Sequence, residues 1–321
     1  MTGAARRAAV LGHPIAHSLS PVLHRAAYRA LGLDGWAYDP VDVTEEQLSA
    51  FVGDLDAGWA GLSLTMPLKQ TVLPLLDHVE PLAAVVGAVN TVLVQAGGSG
   101  RPVLTGANTD VHGIVAALSE GLAAAAERGA GAPGAAPQGA SASTAAVDPA
   151  SGHERPVRTA VVLGAGATAA SALAALAELG CTTPVVLARS LGRTGALARA
   201  AHRMGVEPAF RTLDGAPAAL AGADLVVSTL PPHAADDLAA ELAAAGPAPG
   251  LRPRAVLLDV AYDPRPTALH SAWLGAGGVA VPGERMLLHQ AVEQVRLMTG
   301  RPGPLAAMDA ALNRALGLVE S

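Results

Sequence analysis

Short apolar runs alternate with amphipathic stretches along the first 120 residues of this chain. Runs of this length, bounded by glycine, proline or polar residues, predict β-strands, and the stretches between them predict helices. The predicted strands are residues 8–11, 36–43, 60–64, 88–94 and 101–105. The segment Gly97-Gly98-Ser99-Gly100 separates the last two runs and predicts a β-hairpin.

The starts of two helices are indicated by single residues. Ser20 stands directly before Pro21, the arrangement of an N-cap serine followed by proline at the first helical position. Thr44 is followed three residues later by Gln47, as in a capping box. We therefore expect one helix over residues 21–31 and another that begins directly after Thr44.

A compositional break follows residue 128. Of the 24 residues from 129 to 152, 21 are Gly, Ala, Pro, Ser or Thr. Such a stretch buries too little apolar surface to offset the loss of chain entropy, so we predict a disordered linker over residues 126–156. This linker divides the chain into two α/β parts.

The second part repeats the alternation with stronger apolar runs, separated by alanine-rich helical stretches. This pattern indicates a parallel, doubly wound sheet. The C-terminal sequence, from about residue 284 to 318, predicts two helices that are separated at residues 300–304. We expect both helices to pack back on the first part. The predicted strands of the second part are residues 159–163, 184–188, 223–230 and 255–260.

Composition and charge narrow the functional classes. The net charge of −6 argues against nucleic acid or an anionic membrane as the main partner. The single cysteine, Cys181, excludes an internal disulfide framework and a cysteine-based zinc site, and its place favours a small buried residue. No apolar run has the length of a signal-peptide core or a membrane span, so we expect a cytoplasmic protein.

Lys69 is the only lysine, because twenty of the 21 Lys and Arg residues are arginine. Arginine cannot lose a proton near neutral pH, whereas a lysine ammonium can act as an acid or a base. Composition alone leaves two interpretations open, a surface charge or a group that takes part in chemistry.

Residues 164–169 form a G-x-G-x-x-A turn between a predicted strand and a predicted helix. In this context Gly164 makes the tight turn and Gly166 lets the backbone approach a pyrophosphate at the helix N-terminus. The next strand ends without an acid for a ribose 2′-hydroxyl, but with Arg189 and Arg193, which suit a 2′-phosphate. The pattern therefore predicts NADP(H) as the cofactor.

Polar side chains gather at the predicted strand ends of the first part. In an open α/β sheet these ends form the ligand crevice, so we expect the side chains to converge. Two hydroxyls suit a carboxylate, and a lysine beside an aspartate is a workable proton-transfer pair. The residues are Ser18, Ser20, Thr65, Lys69, Asn90, Asn108 and Asp110.

At these residues the sequence resembles the shikimate dehydrogenase family, in the form seen in actinobacteria. The resemblance runs from Val10 to about Leu312 and is interrupted mainly by the predicted linker. The motifs that carry it are Gly12-His13-Pro14-Ile15-Ala16-His17-Ser18-Leu19-Ser20-Pro21, Leu64-Thr65-Met66-Pro67-Leu68-Lys69, Gly87-Ala88-Val89-Asn90-Thr91, Asn108-Thr109-Asp110, the Gly164 turn, Asp259-Val260-Ala261-Tyr262 and Gly283-Glu284-Arg285-Met286-Leu287-Leu288-His289-Gln290.

The resemblance implies reversible reduction of 3-dehydroshikimate to shikimate by NADPH, a step toward chorismate and the aromatic amino acids. We expect an N-terminal α/β domain that binds the substrate and carries the catalytic residues, formed by residues 1–125 and 285–321. Residues 157–284 are expected to form a Rossmann-type, doubly wound NADP-binding domain. The expected partner is the small-molecule substrate, with no nucleic acid and no membrane, and the chain is expected to be a monomer or a homodimer.

Site roles are carried over position by position. The resemblance implies that Lys69 is the acid/base group at the reacting oxygen and that Asp110 is its partner. Substrate contacts are implied for Ser18, Ser20 and Tyr262 at the carboxylate, and for Thr65, Asn90, Asp110 and Gln290 at the ring hydroxyls. Cofactor contacts are implied for Gly164, Ala165, Gly166, Ala167, Thr168, Arg189, Ser190, Arg193, Val260 and Gly283, the last against the nicotinamide.

Two positions depart from the family's pattern. The usual Asn-Arg-Thr before the 2′-phosphate is here Ala188-Arg189-Ser190, which loses an amide and keeps the arginine. A frequent Asn two residues before Thr65 is here Ser63. One ring-hydroxyl contact therefore differs from the family's usual one.

Alternative functions remain within and outside the family. A quinate or aminoshikimate dehydrogenase is the nearest one, although the pair Ser18 and Ser20 favours shikimate and Arg189 favours NADP. A non-catalytic NADP(H)-sensing protein is expected to have lost Lys69 or Asp110, and both are present. The histidines near the N-terminus have no acidic cluster at metal-ligand spacing, so no metal is expected.

Overall fold

The structure is a computed structural model that describes residues 5–98, 100–130, 157, 159–245, 251–252 and 254–318. Most of the predicted linker, from residue 131 to 156, lies outside the described residues. Its first five residues, 126–130, belong to the end of a long helix. Within the described ranges no helix combines the length and apolar character needed to cross a lipid bilayer.

Six strands form the first sheet, and their bounds are β1 (Arg6–Gly12), β2 (Trp36–Asp42), β3 (Trp59–Leu64), β4 (His78–Val79), β5 (Thr91–Gln95) and β6 (Val103–Ala107). Their order is β2-β1-β3-β5-β6-β4, and β5 runs antiparallel to both of its neighbours. The pairing of β5 with β6 confirms the predicted hairpin. The two-residue strand β4 was not predicted, because it is too short to give an apolar run.

Both faces of the first sheet are covered. Successive side chains of a strand point to opposite faces, so Ala8 and Val10 enter one apolar core while Ala9 and Leu11 enter another. The helices of this part are α1 (Ser20–Ala30), α2 (Glu45–Gly53), α3 (Leu68–Thr71), α4 (Pro81–Val86) and α5 (Asp110–Ala130). Helix α2 follows Thr44, and its capping box with Gln47 is present as predicted.

The second sheet is wholly parallel, as predicted. Its strands are β7 (Ala160–Leu163), β8 (Val185–Ala188), β9 (Ala209–Thr212), β10 (Leu225–Ser228), β11 (Val256–Asp259) and β12 (Val279–Pro282). The strand order is β12-β11-β10-β7-β8-β9. The chain adds β8 and β9 on one side of β7 and then β10 to β12 on the other side. The junction of β7 and β10 is thus the switch point, where doubly wound sheets bind ligands. Strands β9 and β12 were not among the predicted ones.

Five helices connect the strands of the second sheet: α6 (Ala167–Glu178), α7 (Gly195–Met204), α8 (Ala216–Ala221), α9 (Asp236–Ala244) and α10 (Ala268–Gly275). The core on one face is made largely of alanine, valine and leucine from α5, α6 and the strands. Cys181 is buried in this core, which confirms its interpretation as a small buried residue. Small side chains allow the helices to approach the sheet closely.

The C-terminal segment returns to the first sheet, as predicted, in helices α11 (Gly283–Thr299) and α12 (Leu305–Ala315). Leu288, Val295 and Met308 of these helices share an apolar core with Val10 of β1 and Leu23 of α1. Helix α11 thus begins directly after β12 of the second sheet, and from Leu288 onward it contributes side chains to the core on the first sheet.

An ion network joins α11 to α5 and α12. Arg285 donates two hydrogen bonds of 2.7 and 2.8 Å to the Glu120 carboxylate and a third, of 2.6 Å, to Asp309. The ring nitrogen Nε2 of His289 lies 2.7 Å from the same Glu120 carboxylate. Burial acts to raise the pKa of Glu120, but the hydrogen bonds from Arg285 and His289 outweigh it and hold the pKa at about 2.

Candidate active site

A cavity of about 290 Å³ is lined by residues of both parts of the chain. The first part contributes the ends of β1 and β3 and the start of α5. The second part contributes the start of α6, the end of β11 and the start of α11. Residues that follow strand ends thus converge, as the predicted open-sheet architecture requires.

Lys69 and Asp110 form an ion pair at the wall of this cavity. The Lys69 Nζ atom lies 2.5 Å from Asp110 Oδ2, and the two side chains are 14% and 5% exposed. Lys69 is in α3, directly after β3, whereas Asp110 is the first residue of α5, after β6. Asp110 thus stands at the N-terminal end of α5, the end of a helix that favours an anionic side chain. The lysine is a cavity residue, and the interpretation as a solvated surface charge is wrong.

Asn90 holds the other oxygen of this carboxylate. Its amide nitrogen Nδ2 donates to Asp110 Oδ1 at 2.8 Å and also approaches Gln290 Oε1 at 3.3 Å. Its amide oxygen accepts the backbone N–H of Thr109 at 2.8 Å. Asn90 is 1% exposed and is not among the residues that line the cavity. The structure therefore supports a positioning role for Asn90, and its direct contact with a substrate stays a prediction.

The remaining residues predicted to contact the substrate line the cavity: Ser18, Ser20, Thr65, Tyr262 and Gln290. Burial raises the pKa of the Tyr262 hydroxyl, with a further contribution from the Glu284 carboxylate, so this group stays a neutral donor. By contrast, the side chain of Asn108 is directed to the Ala88 carbonyl oxygen at 2.9 Å and to Ser171 at 3.2 Å, and Asn108 does not line the cavity.

The start of α1 differs from the prediction. The helix begins at Ser20, its N-cap is Leu19, and no side chain accepts a hydrogen bond at the N-cap position. The Ser18 hydroxyl oxygen instead accepts the Ser20 backbone N–H at 3.3 Å. Ser20 is thus inside the helix and lines the cavity, and its side chain is a hydrogen-bond partner of the Tyr38 hydroxyl.

Two further polar residues line the cavity: Ser63, which sequence reasoning noted only as a departure from the family's Asn, and Gln294, which it missed. Their spacing was a usable signal. Gln294 is four residues after Gln290 on α11, and residues four apart lie on the same face of a helix. Ser63 is two residues before Thr65, and residues two apart share a face of a strand.

The glycine turn adopts the geometry expected of a dinucleotide site. Gly164 has a φ of +107°, and a Cβ there would lie 2.5 Å from Thr229 Oγ1, so only glycine fits. Gly166 is the N-cap of α6, and a Cβ built there meets nothing within 4 Å, which leaves an open backbone surface. Backbone N–H groups at such a helix N-terminus suit a pyrophosphate. The adjoining residues of the turn are Ala165, Ala167 and Thr168.

Thr168, Val260 and Gly283 bring the second part into the same cavity. Gly283 begins α11 directly after β12, and a Cβ at this position would overlap the Val260 carbonyl oxygen. Only glycine therefore fits at position 283, in the wall of the cavity that Lys69 and Asp110 also line.

Arg189, Ser190 and Arg193 are exposed at the end of β8 and in the turn that follows. The backbone N–H of Gly164 donates to the carbonyl oxygen of Leu187 at 2.8 Å, so the glycine turn is beside the end of this strand. Within the described part of the chain, no acceptor engages either guanidinium. Both remain available to an anionic ligand. Across the same residues no group of three or more His, Cys, Asp or Glu side chains has the arrangement of a metal site.

Comparison with known proteins agrees with this geometry. The model of the shikimate dehydrogenase substrate-binding domain matches residues 10–92, and the model of the shikimate 5′-dehydrogenase C-terminal domain matches residues 283–312. The shikimate dehydrogenase (NADP(+)) of Rubrobacter xylanophilus is 36% identical over 95% of this chain and 94% of its own length. The chain belongs to the shikimate dehydrogenase family.

Solved structures of the shikimate dehydrogenase family share the whole fold. A shikimate 5-dehydrogenase from Mycobacterium fortuitum is 37% identical, with a TM-score of 0.74 over 97% of this chain and 99% of that chain. A quinate dehydrogenase from Corynebacterium glutamicum, solved in complex with NAD, is 27% identical, with a TM-score of 0.73 over 97% of this chain and 99% of that chain. Proteins that share this fold thus differ in the substrate they are named for.

Proposed function

We propose that the protein catalyses the reversible, NADPH-dependent reduction of 3-dehydroshikimate to shikimate. The observation that carries the proposal is the pair Lys69 and Asp110, 2.5 Å apart, in a cavity that Thr168, Val260 and Gly283 of the second part also line. A proton donor and a surface for a hydride donor thus face one space of about 290 Å³.

When bound, NADPH supplies a hydride to the carbonyl carbon of the substrate. Lys69, as the ammonium, gives a proton to the carbonyl oxygen as the C–O double bond becomes a single bond. In the reverse direction the neutral amine takes the hydroxyl proton. Asp110 holds the ammonium in place, and Asn90 holds Asp110 through its second oxygen.

Binding roles follow from the placement of the polar side chains. Ser18, Ser20 and Tyr262 provide neutral hydroxyl donors for the substrate carboxylate. Thr65, Gln290 and Asp110 face the ring hydroxyls, and Asn90 acts with them. Such a set of fixed donors and acceptors orients a small polyhydroxylated ring for reaction.

NADP(H) is the proposed cofactor. The open backbone at Gly166 and the tight turn at Gly164 support a pyrophosphate at the start of α6. Arg189 and Arg193, which lack partners within the described residues, support a 2′-phosphate. The second part, residues 157–284, would therefore be the NADP-binding domain, and residues 1–125 with 285–321 the substrate domain. A cytoplasmic location and a monomeric or homodimeric state remain predictions.

Steady-state oxidation of shikimate and of quinate, each with NADP+ and with NAD+, tests the proposal. We expect shikimate with NADP+ to give the highest kcat/KM of the four combinations. A preference for quinate with NAD+ would assign the chain to the function named for the Corynebacterium neighbour. No oxidation of either substrate would support a non-catalytic NADP(H)-sensing role instead.

A further inference from the structure

Four polar side chains from four elements form a hydrogen-bond network in the wall of the cavity: His24 of α1, Tyr38 of β2, Ser63 of β3 and Gln294 of α11. The Tyr38 hydroxyl lies 2.7 Å from Ser63 Oγ, and Ser63 Oγ lies 2.8 Å from Gln294 Oε1. The His24 ring nitrogen Nε2 is 3.2 Å from the same amide oxygen. Ser63 and Gln294 line the cavity, whereas His24 and Tyr38 are at most 1% exposed.

Chemistry fixes the direction of each hydrogen bond in this network. The amide nitrogen of Gln294 lies 3.1 Å from the backbone carbonyl oxygen of Asn90, which can only accept. The other amide atom, the one that faces Ser63 and His24, is therefore the oxygen. Since an amide oxygen carries no hydrogen, both neighbours must donate to it.

The hydrogen of Ser63 is therefore committed to Gln294. A serine hydroxyl has one hydrogen and two lone pairs, so the Tyr38 hydroxyl must be the donor in its contact with Ser63. His24 keeps its single hydrogen on Nε2, because burial lowers its pKa to about 3 and the ring stays neutral. One lone pair of Ser63 Oγ remains, on a residue that lines the cavity.

We propose that Ser63 is a specificity-determining residue that accepts a hydrogen bond from a ring hydroxyl of the substrate and cannot donate one. Gln294 is the positioning residue that enforces this, and Tyr38 occupies the second lone pair. The inference rests on the proposed shikimate dehydrogenase activity and concerns one of the two ring hydroxyls that are not oxidised. A substituent at that carbon that can only accept a hydrogen bond faces the lone pair of Ser63 Oγ. A substrate with such a substituent is therefore bound less well.

Analogues of shikimate with hydrogen or fluorine in place of the hydroxyl at C4 or at C5 test the proposal on the unsubstituted enzyme. Fluorine keeps the size and polarity of the position but supplies no hydrogen. At one of the two carbons we expect kcat/KM to fall by about 3- to 10-fold for both replacements, as for the loss of one neutral hydrogen bond. A fluorinated analogue that reacts as well as shikimate at both carbons would overturn the proposal.

Three variants test whether Ser63 is the residue that causes this loss of kcat/KM. In Ser63→Ala the difference in kcat/KM between shikimate and the affected deoxy analogue should shrink by about the same 3- to 10-fold, because this acceptor is gone. In Gln294→Met the Ser63 hydroxyl is free to donate. The fluorinated analogue should then have a higher kcat/KM than the deoxy analogue altered at the same carbon. Tyr38→Phe is the matched control, because it keeps the bond from Ser63 to Gln294 and should keep both penalties.

The two proposals fail differently. An unsubstituted enzyme that does not oxidise shikimate overturns the proposed function and this inference with it. An enzyme that oxidises shikimate normally, but whose Ser63→Ala variant retains the full deoxy penalty, overturns only the role of Ser63. The analogue series on the unsubstituted enzyme and on Ser63→Ala separates Ser63 from Asp110, which also accepts without donating, and it decides the matter even if Gln294→Met does not fold.

Discussion

His24 makes the stability of this protein depend on pH between about 6.5 and 3. It is fully buried, stacks on Tyr38 with ring centroids 3.9 Å apart, and donates from Nε2 to Gln294. Its other ring nitrogen, Nδ1, has no hydrogen-bond partner within the described residues. A second proton would therefore enter a buried position with nothing to accept it, and burial lowers the pKa of His24 from 6.5 to about 3.

The size of the effect follows from the two pKa values. Between about pH 6.5 and pH 3 the unfolded chain binds the proton and the folded one does not, so stability falls as pH falls through this window. With about 1.4 kcal/mol for each pKa unit, lowering the pH from 7 to 4.5 should cost about 2 to 3 kcal/mol through His24 alone. This is a large share of the free energy of unfolding of an ordinary domain.

Denaturant unfolding of the unsubstituted chain and of His24→Phe, each at pH 7 and at pH 4.5, measures this contribution. Phenylalanine keeps the stacking on Tyr38 and removes the titrating group. The loss of stability between the two pH values should be smaller by about 2 to 3 kcal/mol in the variant, while other groups cancel in the comparison. His202→Gln, at an exposed histidine of α7, is the control and should leave the pH dependence unchanged. Equal pH dependence in His24→Phe and the unsubstituted chain would refute the reasoning.

Three further predictions concern catalysis, cofactor choice and the ion network. Lys69→Ala should lower kcat by about 10²- to 10⁴-fold with a smaller change in KM, and Lys69→Arg should not restore it, since arginine keeps its proton; near-normal kcat in either variant would move the chemistry elsewhere. Arg189→Ala should raise the KM for NADP+ and leave that for NAD+ almost unchanged, whereas equal effects would exclude a contact with the 2′-phosphate. Glu120→Gln should lower the melting temperature at neutral pH, because the depressed pKa of Glu120 stabilises the fold above about pH 4.5. That difference should fade between about pH 4.5 and 2, and a constant difference would contradict it.

Much of the fold could be predicted because most segments with an apolar run form a strand that is buried in a sheet. The strands that were found from sequence, such as β7 and β11, are buried along their whole length and appear as continuous apolar runs. Strand β9 is mostly exposed at the edge of its sheet, so no apolar run marks it. Strand β12 follows two glycines and ends in proline, residues that are typical of a turn.

The catalytic pair was predictable for a different reason. Lys69 and Asp110 belong to short motifs whose residue types already specify their chemistry. The network around Ser63 was not, because its hydrogen bond to Gln294 joins residues 231 positions apart. Hydrogen bonds between such distant residues depend on how α11 packs against the first sheet, and no local pattern encodes that packing.

Helix α11 connects the proposed cofactor position and the proposed substrate position in one continuous helix. Its first residue, Gly283, faces the proposed nicotinamide position, and Gln290, seven residues later, faces the substrate. At 1.5 Å per residue these points are about 10 Å apart along a single rod. Arg285 joins the same helix to α5 and α12. Because Gly283 and Gln290 belong to one continuous helix, the spacing between the proposed nicotinamide position and the proposed substrate position is set by the helix rise and not by a loop.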